Sequence, residues 1–346
     1  MKYRVDLVQI KDFDSLEFSW KSLEDGADMT YFQTFHWYKV LAKTSQSIKN
    51  SNFEIVFAVG TRDEKTCMIA PLWIIKNTFR RFNYRGGYIF GSEYWTDYCN
   101  FIYKSFDTEM VDCIFSKIKE VYGIDTFSFP KLKESTEMYA YLNDRYEIQD
   151  ACPNICVALD IPPTEEEYHK LLTKKARQNI RTAFNRLDKN RLSLVYDNNT
   201  DKSILPEFKK YRDIRVKAKN KKPLQIDINW LKNLIGERLL FSFPTYTPFE
   251  DDECSVFITS KTSDGELCAA FNVGYDVYKK ELVVMAVSVN PKYNWYSPGI
   301  LAMYSYILKN IGTKEIRRID FKRGDEPYKY VLGGKDHTIY SLKFHF

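Results

Sequence analysis

The segment Tyr296–Ile300 combines residues that favour a helix start with residues that suit anion binding. Ser297 is a good N-cap residue, Pro298 is a preferred first helical residue, and apolar residues follow at helical spacing. The first turn of a helix has unpaired N–H groups carrying roughly half a positive charge, and a glycine lets a ligand approach the backbone. The sequence therefore predicts a phosphate-binding cradle made of Tyr296, Ser297, Pro298, Gly299 and Ile300.

A second group of polar residues follows a predicted strand near the C-terminus, a position where α/β folds often bind ligands. Either Asp325 or Glu326 can act as a general base or orient an acceptor, and Tyr328 can donate a proton to a leaving group. The cations Arg323 and Lys329 are the candidates for substrate binding. The alternative is an internal salt-bridge network that holds the turn.

A basic helix is predicted within the segment from His169 to Arg191, which contains eight Lys or Arg residues and one acid. Helical spacing places its apolar residues on one stripe and Lys174, Arg177 and Arg181 on the other side. This cationic face can bind the phosphates of a substrate, and Arg177 and Arg181 are the substrate-binding candidates. A solvated helix surface is the alternative.

The motif Trp95-Thr96-Asp97-Tyr98 is expected in a loop between two predicted halves of the chain. Asp97 can accept a proton from an attacking amine or hydroxyl group, or it can cap a turn. Trp95 and Tyr98 can stack on a sugar, or they can pack the domain boundary.

The elements that must position these residues form a mixed α/β pattern, read as two domains, 1–157 and 158–346. The final strand is expected to be able to return to the first domain. The predicted strands are 3–10, 53–59, 66–75, 88–90, 126–129, 254–260, 267–275, 282–288, 317–321 and 338–344. The predicted helices are 34–41, 107–122, 164–190, 203–217, 228–240 and one that begins at Ser297.

Composition excludes few classes of protein. The net charge of +5 is compatible with anionic small molecules, nucleic acid or a lipid surface. The seven cysteines suit a reducing compartment, and Cys152 and Cys156 lack the second pair that a zinc site needs, so no metal is expected. The sequence shows no signal peptide and no apolar run of membrane-spanning length, which predicts a cytoplasmic protein.

The motifs resemble those of the FemAB/CelD-type branch of the GNAT acyltransferases. Tyr296–Gly299 matches the Y-S-P-G helix start of that branch, and Asp320–Lys329 contains every letter of its D-F-x-R-G-x-E-x-Y-K signature. Phe32–Trp37, Trp95–Tyr98 and Arg177–Arg181 are similar to its aromatic helix entry, its D-Y motif and its basic helix. The resemblance implies two GNAT-like domains in tandem, the second of which is the acyltransferase domain.

By this resemblance the expected activity is acyl-CoA-dependent N-acyl transfer, with acetyl-CoA as the expected donor. The expected acceptor is a nucleotide- or lipid-linked amino sugar, or a related precursor of cell-envelope or exopolysaccharide synthesis. The acceptor amine would attack the thioester directly, with Asp97 or Asp325 as the base. Two alternatives remain: a FemAB-like aminoacyltransferase that uses aminoacyl-tRNA, and a non-catalytic GNAT-fold binding protein. Nucleic acid is expected only in the first of them.

Overall fold

The computed structural model describes residues 2–45, 53–75, 86–92, 96–219 and 256–346. The chain divides into two compact units. Unit 1 contains the chain up to Asn154 together with Thr338–Phe346, and unit 2 contains Ile155–Gln225 and Phe249–His337. The division lies within one strand, Ile148–Asp160, close to the boundary at 157 that the sequence predicts.

Unit 1 is a mixed sheet with helices. Its strands are β1 (Tyr3–Gln9), β2 (Phe53–Arg62), β3 (Lys65–Ile75), β4 (Gly86–Ile89), β5 (Ile102–Tyr103), β6 (Thr126–Lys133) and the first part of β7 (Ile148–Asp160). Its helices are α1 (Glu17–Lys21), α2 (Phe35–Ser45), α3 (Thr108–Tyr122) and α4 (Glu137–Arg145).

The last strand of the chain, β13 (Lys335–His345), completes the sheet of unit 1. It pairs antiparallel with β6, with Tyr340 opposite Leu132 and Phe344 opposite Phe127. The order of the strands in this unit is β1-β2-β3-β4-β6-β13, and only the pair β4–β6 is parallel. The C-terminal residues therefore lie in the first unit, an arrangement that the sequence left open.

Buried aromatic rings form much of the core of unit 1. Phe13 stacks on Phe35 with ring centroids 4.7 Å apart, and both lie against Trp20. Aromatic pairs of this kind add about 0.5–1.5 kcal/mol beyond the burial of their surface. This rich packing explains why so many aromatic residues occur in the first half of the chain.

Unit 2 contains mixed parallel and antiparallel strands in the order β7-β12-β11-β10-β9-β8. Its helices are α5 (Glu165–Leu171), α6 (Lys174–Lys189), α7 (Leu205–Lys219), α8 (Pro298–Asn310) and α9 (Pro327–Val331). Its strands after β7 are β8 (Leu194–Asn199), β9 (Val256–Thr262), β10 (Leu267–Asp276), β11 (Glu281–Val289) and β12 (Arg318–Arg323).

The core of unit 2 lies between α5, α6 and α8 and one face of this sheet. Ala176, Ile180, Ala183 and Leu187 are the buried residues of α6, which confirms the predicted apolar stripe. Side chains of β10, β11 and β12, such as Phe271, meet them from the sheet. The cationic side of α6 is thereby left to solvent.

The strands β11 and β12 are parallel, but their pairing covers only Glu281–Val283 and Arg318–Asp320. Just beyond it, the register between β10 and β11 shifts, so that Asn272 faces Ala286 whereas Val273 faces Val284. Met285 is the extra residue of this β-bulge, and a bulge bends its strand. The chain therefore opens a space beside the second half of β11.

The mixed α/β class is confirmed, and two details differ from the sequence-based prediction. The single helix predicted at 164–190 is two helices, because Leu172 and Thr173 adopt extended conformations between α5 and α6. The irregular strand β7 and the short elements β8, α4 and α9 were not predicted. The predicted helix 228–240 lies outside the described residues.

The break between α5 and α6 depends on Thr173, whose side-chain oxygen accepts a hydrogen bond from the N–H of Ala176. Replacing an N-cap threonine by alanine costs about 1 kcal/mol. We expect Thr173→Ala to lower the thermal midpoint by about 2–4 °C, measured by calorimetry. Thr173→Ser keeps the oxygen and should leave the midpoint nearly unchanged; equal losses in both variants would contradict this role.

Candidate active site

A cavity of about 550 Å³ opens in unit 2 at the first turn of α8, and we call it the α8 cavity. A volume of this size is typical of sites for small molecules and cofactors. Its walls come from β10, β11, α7, the start of α8 and α9. The lining residues are Ile214, Arg215, Phe271, Val287, Val289, Pro291, Asn294, Ser297, Pro298, Gly299, Ile300 and Tyr328.

The start of α8 is where the sequence places it, but Ser297 does not act as the predicted side-chain cap. Ser297 has φ 52° and ψ 45°, and its side chain makes no capping hydrogen bond. A capping side chain reaches the first turn from an extended backbone, and the left-handed conformation of Ser297 departs from that geometry. The backbone N–H of Ser297 instead donates to the carbonyl of Asn294.

The first turn of α8 consequently keeps two open donors. Pro298 has no N–H, and the N–H groups of Gly299 and Ile300 have no intrahelical acceptor because they belong to the first turn. Both residues line the α8 cavity. This arrangement supports the predicted cradle at Ser297–Ile300, because N–H groups at a helix start bind phosphates and other anions. Tyr296 does not line the cavity and packs against the core of unit 2.

Gly299 is buried, and its small size is needed less strictly than the sequence suggested. A Cβ atom at this position would lie 3.6 Å from Val289 and 3.7 Å from Phe271, which are ordinary contact distances. A methyl group therefore fits here, whereas a large side chain would fill the cavity between these walls.

Tyr328 is the one predicted catalytic residue that lines the α8 cavity. Burial raises the pKa of its phenol, and the nearby negative charge of Glu326 raises it further, whereas Arg215 lowers it. The phenol therefore keeps its proton at neutral pH and can act as a hydrogen-bond donor or general acid. Its ring lies near Phe271 and Phe321, with centroid distances of 6.3 and 6.1 Å.

Arg215 is a cavity residue that the sequence did not single out. It is the charged side chain among the lining residues, and its Nη1 donates to the carbonyl of Val287 at 3.3 Å. Its position on α7 places a cation beside the open donors of α8. The signal was hidden, because α7 carries several Lys and Arg residues and its weak apolar pattern does not indicate which of them faces inward.

Lys329 is buried in the turn after β12 and holds the backbone there. Its Nζ donates to the carbonyls of Lys322, Arg323 and Gly324 at 3.0, 2.9 and 2.8 Å, and it pairs with Glu326 at 2.9 Å. An ammonium group has three protons, so these partners use all of them. The prediction that Lys329 binds substrate does not match this geometry.

The other predicted residues of the turn do not line the α8 cavity. Arg323 and Asp325 are exposed. Glu326 is partly buried, and its carboxylate pairs with Lys329. It lies close enough to Tyr328 to raise the pKa of the phenol. The salt-bridge alternative thus holds for Lys329 and Glu326, while Arg323 and Asp325 face solvent.

The D-Y motif lies inside unit 1, between β4 and β5, and not in a loop between two halves of the chain. Asp97 is 4% exposed and lies 3.6 Å from the Nζ of Lys131. Tyr98 is 2% exposed, has φ 55°, and accepts a hydrogen bond at its carbonyl from Gln33. Both residues therefore have packing and pairing roles in the core of unit 1. Trp95 lies outside the described residues.

Arg177 and Arg181 border a second, smaller cavity of about 310 Å³, which we call the α6 groove. The Nη1 of Arg177 donates to the carbonyls of His169 and Leu172 at 2.9 and 2.6 Å, so this arginine caps the end of α5. Arg181 is exposed at the rim. The floor contains Tyr304, whose hydroxyl lies 2.9 Å from His169 Nε2.

Comparison with known families adds a decisive observation. Residues 247–330 match the family model described as Acetyltransferase (GNAT) domain, and this range contains the start of α8, β11, β12 and Tyr328. This part of the chain is therefore similar to a GNAT acetyltransferase domain. The predicted enzyme class is thereby confirmed, and the GNAT domain contains most of the wall of the α8 cavity. No curated protein matches the sequence.

Solved structures share the fold of the chain. FemX matches with a TM-score of 0.61 and 10% identity, covering 98% of this chain and 97% of that one. A domain of a putative lysylphosphatidylglycerol synthetase from Agrobacterium fabrum matches with a TM-score of 0.56 and 12% identity, covering 96% and 92%. The L-PGS of Bacillus licheniformis matches with a TM-score of 0.54 and 11% identity, covering 96% and 91%. The chain therefore shares its fold with FemX and with these two structures.

Two features are absent from the described part of the chain. Within it, no helix is long and apolar enough to cross a membrane. The same residues contain no cluster of three or more His, Cys, Asp or Glu side chains suited to a metal ion.

The two cations of the turn after β12 should respond differently to substitution. Lys329→Met removes the partner of a carboxylate and of three carbonyls, and we expect it to lower the free energy of unfolding by about 3–5 kcal/mol. Arg323→Met, at an exposed position nearby, should change it by less than about 0.5 kcal/mol. Denaturant unfolding measures both values. A stable Lys329→Met variant would show that the turn holds without its ammonium group.

Proposed function

We propose that the protein is an acyl-CoA-dependent N-acyltransferase, with acetyl-CoA as the simplest donor. The observation that carries this proposal is the α8 cavity, where two open N–H groups at a helix start and the phenol of Tyr328 face one apolar space. Acyl-CoA has a diphosphate for the first and a thioester sulfur for the second. The cavity residues fit such a ligand, because apolar walls can pack against the methyl and methylene groups of its pantetheine arm.

Binding of the diphosphate would rest on the N–H groups of Gly299 and Ile300, supported by the positive end of the α8 dipole. Arg215 adds a full positive charge at the same cavity. The valine walls, Val287 and Val289, exclude water from the ligand. Positioning the donor and acceptor in this way supplies much of the rate acceleration of a reaction whose acyl group is already activated.

Acyl-CoA supplies an activated thioester when bound. Tyr328 would donate the proton that the departing thiolate needs, because its phenol is protonated and reaches the cavity. The acceptor amine must also lose a proton, and we assign that proton to solvent, because no carboxylate is among the described residues that line the α8 cavity. Glu326 acts on this chemistry through the raised pKa of Tyr328, and its own carboxylate pairs with Lys329.

The proposed acceptor is an amino sugar carried on a nucleotide or a lipid, as the family resemblance implies for cell-envelope or exopolysaccharide precursors. Such carriers are phosphorylated, and the exposed Arg181 at the α6 groove is suited to phosphate. An acceptor of this kind is consistent with a reaction in the cytoplasm.

Donor binding is the first test of this proposal. At about 100 times its dissociation constant, CoA should stabilise the protein by about 2.7 kcal/mol, measured as a saturable rise of the thermal midpoint. In Arg215→Met the dissociation constant should rise about 10-fold or more, because a charged contact is lost. Lys217→Met removes a charge from the same helix outside the cavity and should bind CoA normally. No shift with CoA or any acyl-CoA at millimolar concentration would refute the proposed donor.

Removing the hydroxyl group of Tyr328 tests its proposed role as the general acid. Tyr328→Phe should lower kcat by about 100-fold or more while CoA affinity and the thermal midpoint stay unchanged. Tyr330→Phe, on the same helix, loses only a bond to Asp336 and should retain kcat.

The pH profile gives a second readout for the same residue. Its raised pKa means that Tyr328 holds its proton above the ordinary tyrosine value of about 10, so its ionisation should not reduce activity between pH 7 and 10. A decline in this range that disappears in Tyr328→Phe would contradict the assignment.

The second candidate is an aminoacyltransferase that uses aminoacyl-tRNA. The likeness of the fold to FemX and to the two L-PGS structures favours it, and the exposed cations Lys174, Arg177 and Arg181 would then contact RNA phosphates. Binding of charged tRNA in the absence of CoA binding would favour this candidate. Binding of neither donor would favour a non-catalytic role.

A further inference from the structure

Trp295 is an exposed aromatic side chain close in sequence to residues that line the α8 cavity. It lies on the six-residue 3-10 helix Pro291–Tyr296 that leads into α8, and 63% of its surface is exposed. Its chain neighbour Asn294 lines the cavity, as does Ser297 two residues later. A large apolar ring is therefore presented to solvent four residues before Gly299, one of the residues proposed to bind the donor diphosphate.

Arg186 of α6 covers one face of this ring. The Cζ atom of its guanidinium lies 3.8 Å from the ring centroid, and its Nη1 donates to the carbonyl of Trp295 at 2.9 Å. The guanidinium thus lies over the indole ring in a favourable cation–π arrangement. The high exposure of Trp295 leaves the rest of the ring open.

Within the described residues, Arg186 forms no ion pair with a carboxylate. By contrast, the other cation close to Trp295 in sequence, Lys292, pairs with Glu266 at 2.6 Å. Arg186 therefore contributes a positive charge that no carboxylate of the described residues neutralises. This charge lies against the exposed ring of Trp295, which is itself three residues before the start of α8.

The 3-10 helix that carries Trp295 is firmly held. The side chain of Asn290 accepts from the N–H of Lys292 at 3.1 Å, and Glu266 accepts from both Lys292 and Tyr293. Asn290 also donates to the hydroxyl of Tyr211 and to the carbonyl of Leu267, which ties the segment to α7 and β10. A surface held in this way binds a flat ligand with little loss of its own conformational entropy.

We infer that Trp295 and Arg186 form a platform for the nucleotide end of the acyl donor, with adenine stacked on Trp295 and a phosphate paired with Arg186. The inference rests on the proposed function. An adenine ring has two flat faces for stacking, and the remaining phosphate of coenzyme A lies on the same adenosine. The platform would therefore recognise the part of the donor that the apolar α8 cavity does not hold.

The ligand pair CoA and 4′-phosphopantetheine tests the platform, because the second lacks the adenosine, its 3′-phosphate and one phosphate of the diphosphate. Calorimetric titration of the whole protein should show that Trp295→Ala raises the dissociation constant for CoA about 10-fold or more, the scale of one base–aromatic stacking contact. The constant for 4′-phosphopantetheine should stay the same. Trp295→Phe should retain most of the CoA affinity, and Phe18→Ala, at an exposed aromatic residue of unit 1, should retain all of it.

The remaining outcomes separate the platform from the proposed donor. Unchanged CoA affinity in Trp295→Ala, or equal losses for both ligands, would overturn the platform and leave the proposed function standing. If the wild-type protein binds neither ligand, the proposed donor is wrong. In that case a charged tRNA minihelix ending in adenosine tests the platform. Binding that depends on Trp295 supports an adenine platform for that donor. Binding that is independent of Trp295, or no binding, overturns the platform.

Discussion

The limited pairing of two parallel strands governs the site. Strands β11 and β12 are paired over three residues each, Glu281–Val283 and Arg318–Asp320, and the α8 cavity lies beside the later part of β11. A sheet that stops pairing leaves backbone N–H and C=O groups without their ladder partners, and each such group must be satisfied in another way. Every other feature of the site follows from how the chain meets this requirement.

Two cationic side chains donate hydrogen bonds to backbone carbonyls of the two strands. On β11, Arg215 donates to the carbonyl of Val287. After β12, Lys329 donates to three successive carbonyls, from Lys322 to Gly324. Hydrogen bonds from charged donors are stronger than neutral ones, which suits them to replace part of a sheet ladder. The two side chains thus satisfy carbonyl groups at the strand ends without further pairing between β11 and β12.

The contrast between local signals and tertiary contacts explains which features of the site could be predicted from the sequence. The start of α8 and the amphipathic pattern of α6 were predictable, because N-cap residues, proline and apolar spacing are local signals. The left-handed turn at Ser297 was not, since nothing local forces a serine into that conformation. The role of Lys329 was also hidden, because its partners are carbonyls, and carbonyls carry no side-chain signature in the sequence.

Asp97 and Arg215 show that the type of a residue and its motif do not determine its surroundings in the fold. An aspartate in a short motif looks catalytic, yet the fold of unit 1 buries it beside Lys131, a residue distant in sequence. An arginine among many cations looks like a solvated surface, yet α7 turns it into the α8 cavity. Tertiary packing decides both cases, so periodicity alone assigns neither.

The distribution of charge in unit 2 bears on what each surface can bind. Apart from Arg215, the residues that line the α8 cavity are uncharged, so this space favours a mostly apolar ligand arm with a small number of anionic groups at its helix end. A polyanion needs many cations in contact with solvent, and those lie on α6, where Lys174 and Arg181 are exposed. An apolar cavity with two backbone donors and one arginine therefore fits a pantetheine thioester better than it fits a nucleic-acid backbone, which is the physical reason to rank the acyl-CoA donor first.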